Sequence, residues 1–146
     1  MQVITGNIWH YWRQGHWIVI PTNGSINAQG DAVMGKGLAY QVKVLFPEFP
    51  QYFGNRLNIK GNRLMLHPAY KFITFPVKHK WDDMKASIAL IEQSAKDLFH
   101  SHERGTETIY LPTVGCGNGN LDWWQVKDAL VPWVDNNMFI VKFKRE

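Results

Sequence analysis

The sequence predicts an α/β fold of three layers, in which helices cover both faces of a mixed, largely parallel sheet. Short apolar runs typical of buried strands alternate with runs in which apolar residues recur at helical spacing. The chain has 146 residues, and 45% of them are hydrophobic, which is enough for one core. Two glycine-rich turns each connect a strand-like run to a helix-like run. We therefore expect a single domain over residues 1–146.

The N-terminal part of the chain predicts two strands and a loop. Residues 1–5 indicate a short strand that ends at Gly6. Residues 17–21 are continuously apolar, which is typical of a strand buried on both faces. The polar residues that follow, 22–31, are expected to form a loop.

One helix and two strands are predicted in the middle of the chain. Apolar residues at helical spacing favour a helix over residues 38–46. Pro47 ends this helix, because proline cannot continue the hydrogen-bonded ladder. Residues 64–66 and 71–75 are short apolar runs that predict two strands.

The C-terminal part predicts two helices and two strands. A long helix is expected over residues 82–99, where two leading aspartates suit the positive first turn. A strand over residues 108–111 leads into the second glycine-rich turn. The next helix, over residues 122–134, starts with an aspartate that can cap it, and residues 138–143 predict a final strand.

The composition restricts the classes of ligand and partner. The net charge of +4 and the pI of about 9.2 suit an anionic ligand and permit contact with nucleic acid. The single cysteine, Cys116, excludes an internal disulfide and a multi-cysteine zinc site. The six histidines show no spacing typical of metal ligands. We therefore expect no metal and no cofactor.

The hydropathy pattern bears on location. The N-terminus lacks the basic and apolar segments of a signal peptide, and no apolar run is long enough to cross a membrane. The sequence therefore predicts a cytoplasmic protein without a membrane partner, and we expect a monomer.

Most of the seven tryptophans should pack in the core. Trp81, Trp123 and Trp124 are candidates to line a nucleobase slot.

Two glycine-rich turns are the strongest functional signal. The first reads VMGKGLA over residues 33–39, and the second reads LPTVGCGNGNL over residues 111–121. A glycine backbone can approach a ligand closely and turn several amides toward it, and a helix N-terminus beyond the turn favours phosphate. The pair predicts a clamp around a diphosphate. The alternative is two tight structural turns, since neither matches the P-loop or the dinucleotide-binding fingerprint.

These segments resemble those of macro domains, an α/β/α family that binds ADP-ribose. The matching runs are residues 33–39, FPVKHKW at residues 75–81, and PTVGCGNGNLDW at residues 112–123. They look most like the branch that contains the terminal ADP-ribose glycohydrolases and an antitoxin that removes ADP-ribose from thymidine in DNA. The resemblance covers nearly the whole chain.

The resemblance implies a set of ligand-binding residues. Asn7 stands where macro domains carry an aspartate that accepts from the adenine amino group, and Ile8 follows it. Either Asn27 or Asn23 matches an asparagine beside the distal ribose, and Asn27 is also implied in catalysis. The glycine-rich turns match the two phosphate loops, which implies ligand contacts from Met34, Gly35, Lys36, Gly37, Thr113, Val114, Gly115, Cys116, Gly117, Asn118, Gly119, Asn120 and Leu121.

The resemblance also implies that Lys78 is the central catalytic residue. In the related enzymes a lysine is proposed to attack the anomeric carbon of the distal ribose. A protonated lysine would instead stabilise the departing base or a phosphate. The protein-directed enzymes pair their lysine with an aspartate, where this chain has Gly119 or Asn120. This difference favours nucleotide-linked ADP-ribose over ADP-ribose on acidic side chains.

One function and two alternatives follow. We expect an ADP-ribosyl glycohydrolase that binds ADP-ribose and cleaves it from a nucleobase, so ADP-ribosylated DNA is the expected partner. The first alternative is a module that binds ADP-ribose or a nucleotide signal without turnover. The second is an esterase for O-acyl-ADP-ribose or a phosphatase for ADP-ribose 1″-phosphate, which would use the same pocket with water as the nucleophile.

Overall fold

Six strands form one mixed sheet in the computed structural model, which describes residues 1–101 and 107–144. The order across the sheet is β1-β6-β5-β2-β4-β3. Neighbouring strands are parallel except β3 and β4, which are antiparallel. The strands are β1 (Gln2–Gly6), β2 (Trp17–Asn23), β3 (Met65–His67), β4 (Phe72–Lys78), β5 (Ile109–Pro112) and β6 (Met138–Phe143).

Helices cover both faces of the sheet, which confirms the predicted three-layer class. Helices α4 and α5 share one apolar cluster with the sheet, and the other three helices share the cluster on the opposite face. Strand β2 supplies both clusters, because Val19 points to one face and Ile18 and Ile20 point to the other. The helices are α1 (Ile8–Arg13), α2 (Gly37–Leu45), α3 (Phe49–Lys60), α4 (Ile88–Phe99) and α5 (Trp123–Leu130).

Helices α1 and α3 are absent from the sequence-based prediction, although the sequence contains signals for both. Asn7 is the N-cap of α1, and its side chain accepts the amide of Trp9 at 3.0 Å. Helix α3 carries Pro50 in its first turn, and its buried Phe53 and Leu57 are four residues apart. Both helices complete the layer on which α2 lies.

Two predicted helix boundaries are wrong. Helix α4 begins at Ile88 rather than at residue 82, because Ser87 is its N-cap and accepts the amide of Leu90 at 3.2 Å. The Asp83 carboxylate instead accepts the amide of Lys80 at 3.0 Å, outside any helix. Helix α5 ends at Leu130, four residues before the predicted end at residue 134.

Strands β2 and β4 extend further than their apolar runs predict. Strand β2 continues through Asn23, and β4 continues through Lys78. These two residues are register partners on neighbouring parallel strands, where backbones lie about 4.8 Å apart. The extension therefore brings two predicted site residues side by side at the carboxyl edge of the sheet. His102, one of the histidines considered above, lies outside the described residues.

Candidate ligand-binding cavity

One cavity of about 860 Å³ opens at the carboxyl edge of the parallel strands. Such edges carry the ligand sites of α/β sheets, because loops there are free to vary while the strands hold them in place. The ends of five strands contribute lining residues, and these are Gly6, Asn23, Lys78, Pro112 and Phe143. The cavity is large enough for a dinucleotide-sized ligand.

The two glycine-rich turns converge on this cavity, as the sequence predicts. Gly35, Lys36 and Gly37 line it from the first turn, and Gly117 and Asn118 line it from the second. A Cβ atom placed on Gly37 would lie 3.1 Å from Nδ2 of Asn118. The two turns are therefore in contact, although about eighty residues separate them along the chain.

Backbone amides on both turns are available to a ligand. Within residues 1–101 and 107–144, the amides of Gly35, Lys36 and Gly37 and those of Gly117 and Asn118 have no hydrogen-bond acceptor in the protein. The first group lies at the N-terminus of α2, where unpaired amides give a partial positive charge. Such facing sets of donors suit the oxygens of a diphosphate.

The second turn owes its shape to two glycines. Gly115 has a φ of +75°, and its carbonyl accepts the amide of Leu121 at 3.0 Å. Gly119 passes so close to this carbonyl that a Cβ atom there would clash with it. The carbonyl of Gly119 in turn accepts the amide of Ala86 at 2.8 Å. The turn is thus fixed both internally and against the segment that precedes α4.

Four residues of the second turn have packing or bracing contacts and do not line the cavity. Val114 is fully buried in the core, and Leu121 packs against the same cluster. Burial raises the pKa of the Cys116 thiol, whose Sγ lies 3.6 Å from the Val114 carbonyl. Asn120 donates from Nδ2 to the Met84 carbonyl at 2.8 Å. Their proposed ligand contacts thus have no support from the shape of the cavity.

Four asparagines are among the described residues that line the cavity, and the side chains of three of them are held by local hydrogen bonds. Asn7 uses its side-chain oxygen as the cap of α1. Asn23 accepts the amide of Ser25 at 2.9 Å and donates to the Val33 carbonyl at 3.0 Å, which ties β2 to the first turn. Asn27 accepts two amides of its own loop, each at 3.0 Å. Asn23 and Asn27, the two candidates for contact with the distal ribose, therefore both line the cavity.

Lys78 lies at the end of β4, half-buried in the cavity wall. The Asn62 side chain fixes its backbone by donating from Nδ2 to the Lys78 carbonyl at 3.0 Å. The described residues that line the cavity include two lysines, Lys36 and Lys78, and no aspartate or glutamate. The cavity therefore favours an anion, and it offers no carboxylate as a general base.

Several lining residues are not among the predicted site residues, and Thr22 and Phe143 are the two of them with features that suit contact with a ligand. Thr22 is 5% exposed, and its Oγ1 has no hydrogen-bond partner among the described residues. A buried hydroxyl is rarely left unpaired, so a ligand atom or a bound water is the expected partner. Phe143 is 70% exposed, lines the cavity and is the register partner of Gly6, two residues before Ile8. The sequence contained a signal for each: Thr22 is a polar residue within a buried strand, and Phe143 is an aromatic residue at the end of a strand.

The described residues contain no group of three or more metal-ligating side chains, counting histidine, cysteine, aspartate and glutamate. Over the same ranges, none of the helices has the length and apolar character needed to cross a membrane.

No protein-family model matches the chain. It is similar to the DNA ADP-ribosyl glycohydrolase of Thermus aquaticus, with 30% identity over 129 residues that cover 80% of this chain and 35% of the relative. It is also similar to the DNA ADP-ribosyl glycohydrolase of Mycobacterium tuberculosis, with 31% identity over 119 residues that cover 73% of this chain and 32% of the relative. The chain thus spans about a third of the length of these curated relatives.

Solved structures share the architecture. The macrodomain of Thermus aquaticus DarG matches with a TM-score of 0.69 and 24% identity, covering 99% of this chain and 97% of that chain. Thermosipho africanus DarTG in complex with ADP-ribose matches with a TM-score of 0.69 and 21% identity, covering 90% of this chain and 39% of that chain. Both share the three-layer arrangement described above.

Proposed function

The chain is a macro domain by its fold, and on this basis we propose that it binds ADP-ribose and cleaves it from a nucleobase in DNA. One observation carries the proposal: two amide-bearing turns meet across a single cavity, and Lys78 lies in the wall of that cavity. The names of the similar curated proteins and the ADP-ribose in one structural relative support the same substrate class.

The shape of the cavity suggests how ADP-ribose lies in it. The diphosphate fits between the free amides of the two turns, with Lys36 beside it. The adenine fits at the end lined by Ile8 and Phe143, where an exposed ring can stack on a base. The distal ribose then extends toward Asn23 and Lys78, which are register partners at the sheet edge.

Lys78 has two possible chemical roles in this arrangement. As a free amine, its Nζ attacks the anomeric carbon of the distal ribose, and the carbon–nitrogen bond to the base breaks. The base leaves with the bonding electron pair and takes up a proton. Water then hydrolyses the lysine–ribose bond, which releases ADP-ribose and restores the amine. As an ammonium group, Lys78 instead stabilises the negative charge on the departing base.

Substitution of Lys78 tests the proposal. We expect Lys78→Ala to lower the release of ADP-ribose from ADP-ribosylated thymidine by at least about a hundredfold, the range typical of lost covalent or electrostatic catalysis. Calorimetry should show ADP-ribose still bound, because the amides of the turns remain. Lys127→Ala, which removes an exposed lysine of α5, is the matched control. Full activity of Lys78→Ala would remove Lys78 from the mechanism.

Lys78→Arg separates the two roles of the lysine. An arginine keeps the positive charge, but its guanidinium does not deprotonate and cannot act as a nucleophile. Loss of activity comparable to Lys78→Ala would support attack by the amine, whereas substantial retained activity would support electrostatic stabilisation.

A binding module without turnover is the second candidate, and the lack of a carboxylate among the described lining residues favours it. This candidate is supported if the protein binds ADP-ribose tightly but releases none from ADP-ribosylated DNA, O-acyl-ADP-ribose or ADP-ribose 1″-phosphate. Mass spectrometry of the products over this panel also distinguishes the glycohydrolase from the esterase and the phosphatase.

A further inference from the structure

The segment between β4 and α4, residues 79–87, borders the mouth of the cavity and is fixed on two sides. Trp81 donates its amide to Ser25 Oγ at 3.0 Å, which joins the segment to the loop after β2. The amide of Ala86 and the carbonyl of Met84 bond to the second glycine-rich turn. We call residues 79–87 the mouth segment. Its backbone is held in place, so its side chains form a fixed border of the cavity.

Trp81 occupies an unusual place among the seven tryptophans. Only Trp81 and Trp124 are more than half exposed, at 56% and 64%, and only Trp81 of these two lines the cavity. Within the described residues, no aromatic ring or cation packs against the ring of Trp81. Trp9 and Trp12, by contrast, pack against other aromatic rings. A large apolar ring therefore faces solvent beside the half-buried Lys78.

Exposed cations lie close to Trp81 along the chain and on the neighbouring loop. Lys80 and Lys85 are exposed on the mouth segment, and Arg63 is exposed one residue from Asn62, whose side chain bonds to the Lys78 carbonyl. Asp82 and Asp83 balance the charges of the two lysines on the segment, so the excess positive charge near Trp81 comes from Arg63 and from Lys78 in the cavity wall. Exposed aromatic rings flanked by cations are typical of surfaces that bind single-stranded nucleic acid, because bases stack on the ring and phosphates meet the cations.

We propose that Trp81 is a stacking platform for a base of a single-stranded DNA substrate, next to the nucleotide that enters the cavity. The inference rests on the proposed function, since it assigns the part of the substrate that lies outside the ADP-ribose cavity. A single strand fits better than a duplex, because a paired base is already stacked on its neighbours and would have to leave them to reach Trp81. Lys80 then meets the backbone of the strand.

Binding of unmodified DNA tests the platform directly. The probe is a labelled oligothymidylate of about 10 nucleotides, within the usual site size of such surfaces. We expect Trp81→Ala to weaken its binding by at least about fivefold, from the loss of one stacked base. Trp124→Ala removes the other exposed tryptophan, which lies outside the cavity, and should bind like the wild type. Equal binding by the wild type and Trp81→Ala would overturn the proposal.

Salt and duplex controls identify the contacts. Lys80→Ala should reduce the slope of log K against log salt by about 0.7, the value for one phosphate of a single strand. A duplex of the same length should bind the wild type and Trp81→Ala equally. A duplex that binds more tightly than the single strand through Trp81 would contradict the single-strand assignment.

A kinetic comparison separates this inference from the proposed function. ADP-ribosylated oligonucleotide and ADP-ribosylated thymidine are offered in parallel, and the ratio of their kcat/KM values is measured. We expect Trp81→Ala to lower this ratio by at least about fivefold, because only the oligonucleotide reaches the platform. An unchanged ratio would reject the platform while leaving the glycohydrolase intact. If neither substrate is cleaved, the proposed function fails, and the binding comparison still decides the role of Trp81.

Discussion

At the scale of single residues, the site depends on which side chains stand at the ends of β2 and β4. Asn23 and Lys78 are register partners there, and both line the cavity. Thr22 precedes Asn23 and also lines the cavity, with its hydroxyl buried and unpartnered among the described residues. The ends of two neighbouring strands therefore supply a cation, an amide and a hydroxyl to the same cavity.

Thr22→Val removes that hydroxyl with little change in shape. We expect ADP-ribose to bind about fivefold to tenfold more weakly, the equivalent of one hydrogen bond of about 1 kcal/mol. The melting temperature should stay the same or rise, because a buried unpartnered hydroxyl costs free energy in the free protein. Calorimetry and thermal unfolding measure the two effects, with Thr5→Val on the exposed side of β1 as the control. Unchanged affinity would show that Thr22 does not contact the ligand.

At the scale of elements, two turns from separate strand–helix units form one site. The glycine-rich sequence of each turn is visible in the sequence, and so is its position after an apolar run. Contact between Gly37 and Asn118 depends on the positions of β2 and β5, which are neighbours in the sheet although α2, α3, β3, β4 and α4 separate them in sequence. Helix α1 could have been found from its cap, and helix α3 from the proline in its first turn and the spacing of its apolar residues.

A pair of glycine substitutions separates the fold of the second turn from its binding role. A Cβ atom on Gly119 would clash with the Gly115 carbonyl, whereas one on Gly117 would meet no atom within 4 Å. We expect Gly119→Ala to destabilise the protein by about 1–3 kcal/mol. Gly117→Ala should melt like the wild type yet bind ADP-ribose at least about tenfold more weakly, because its methyl group occupies the path of the ligand to the backbone. Gly117→Ala with wild-type affinity would contradict close approach of the diphosphate.

At the scale of the whole molecule, two apolar clusters on opposite faces of the sheet hold the three layers together. The cluster that includes α3 also covers a fully buried histidine, His67. Its Nε2 lies 2.8 Å from Thr74 Oγ1, and its Nδ1 lies 3.2 Å from the Tyr52 hydroxyl. Burial, together with the smaller effects of the nearby charges of Arg56 and Lys60, lowers the pKa of His67 from 6.5 to about 4.

The lowered pKa of His67 predicts how stability depends on pH. The unfolded chain takes up this proton near pH 6.5 and the folded protein only near pH 4, so protonation favours unfolding between these values. The contribution of His67 to the free energy of unfolding is full above pH 6.5 and falls by roughly 3 kcal/mol by pH 4. Denaturant unfolding of the wild type and His67→Gln over this range measures the difference. Parallel pH profiles for the two proteins would contradict the prediction.

The sequence by itself determined the class of the fold and the two glycine-rich turns, because apolar periodicity and glycine-rich spacing are local properties of the chain. The prediction for Lys78 came from the resemblance of its segment to macro domains. Only the tertiary structure decided that the turns touch, that Asn23 stands beside Lys78, and that Trp81 rather than Trp123 or Trp124 borders the cavity. It also decided that Val114, Cys116, Asn120 and Leu121 turn away from the cavity. These facts depend on the order of strands in the sheet, and pairing between distant segments leaves no periodic trace in the sequence of either one.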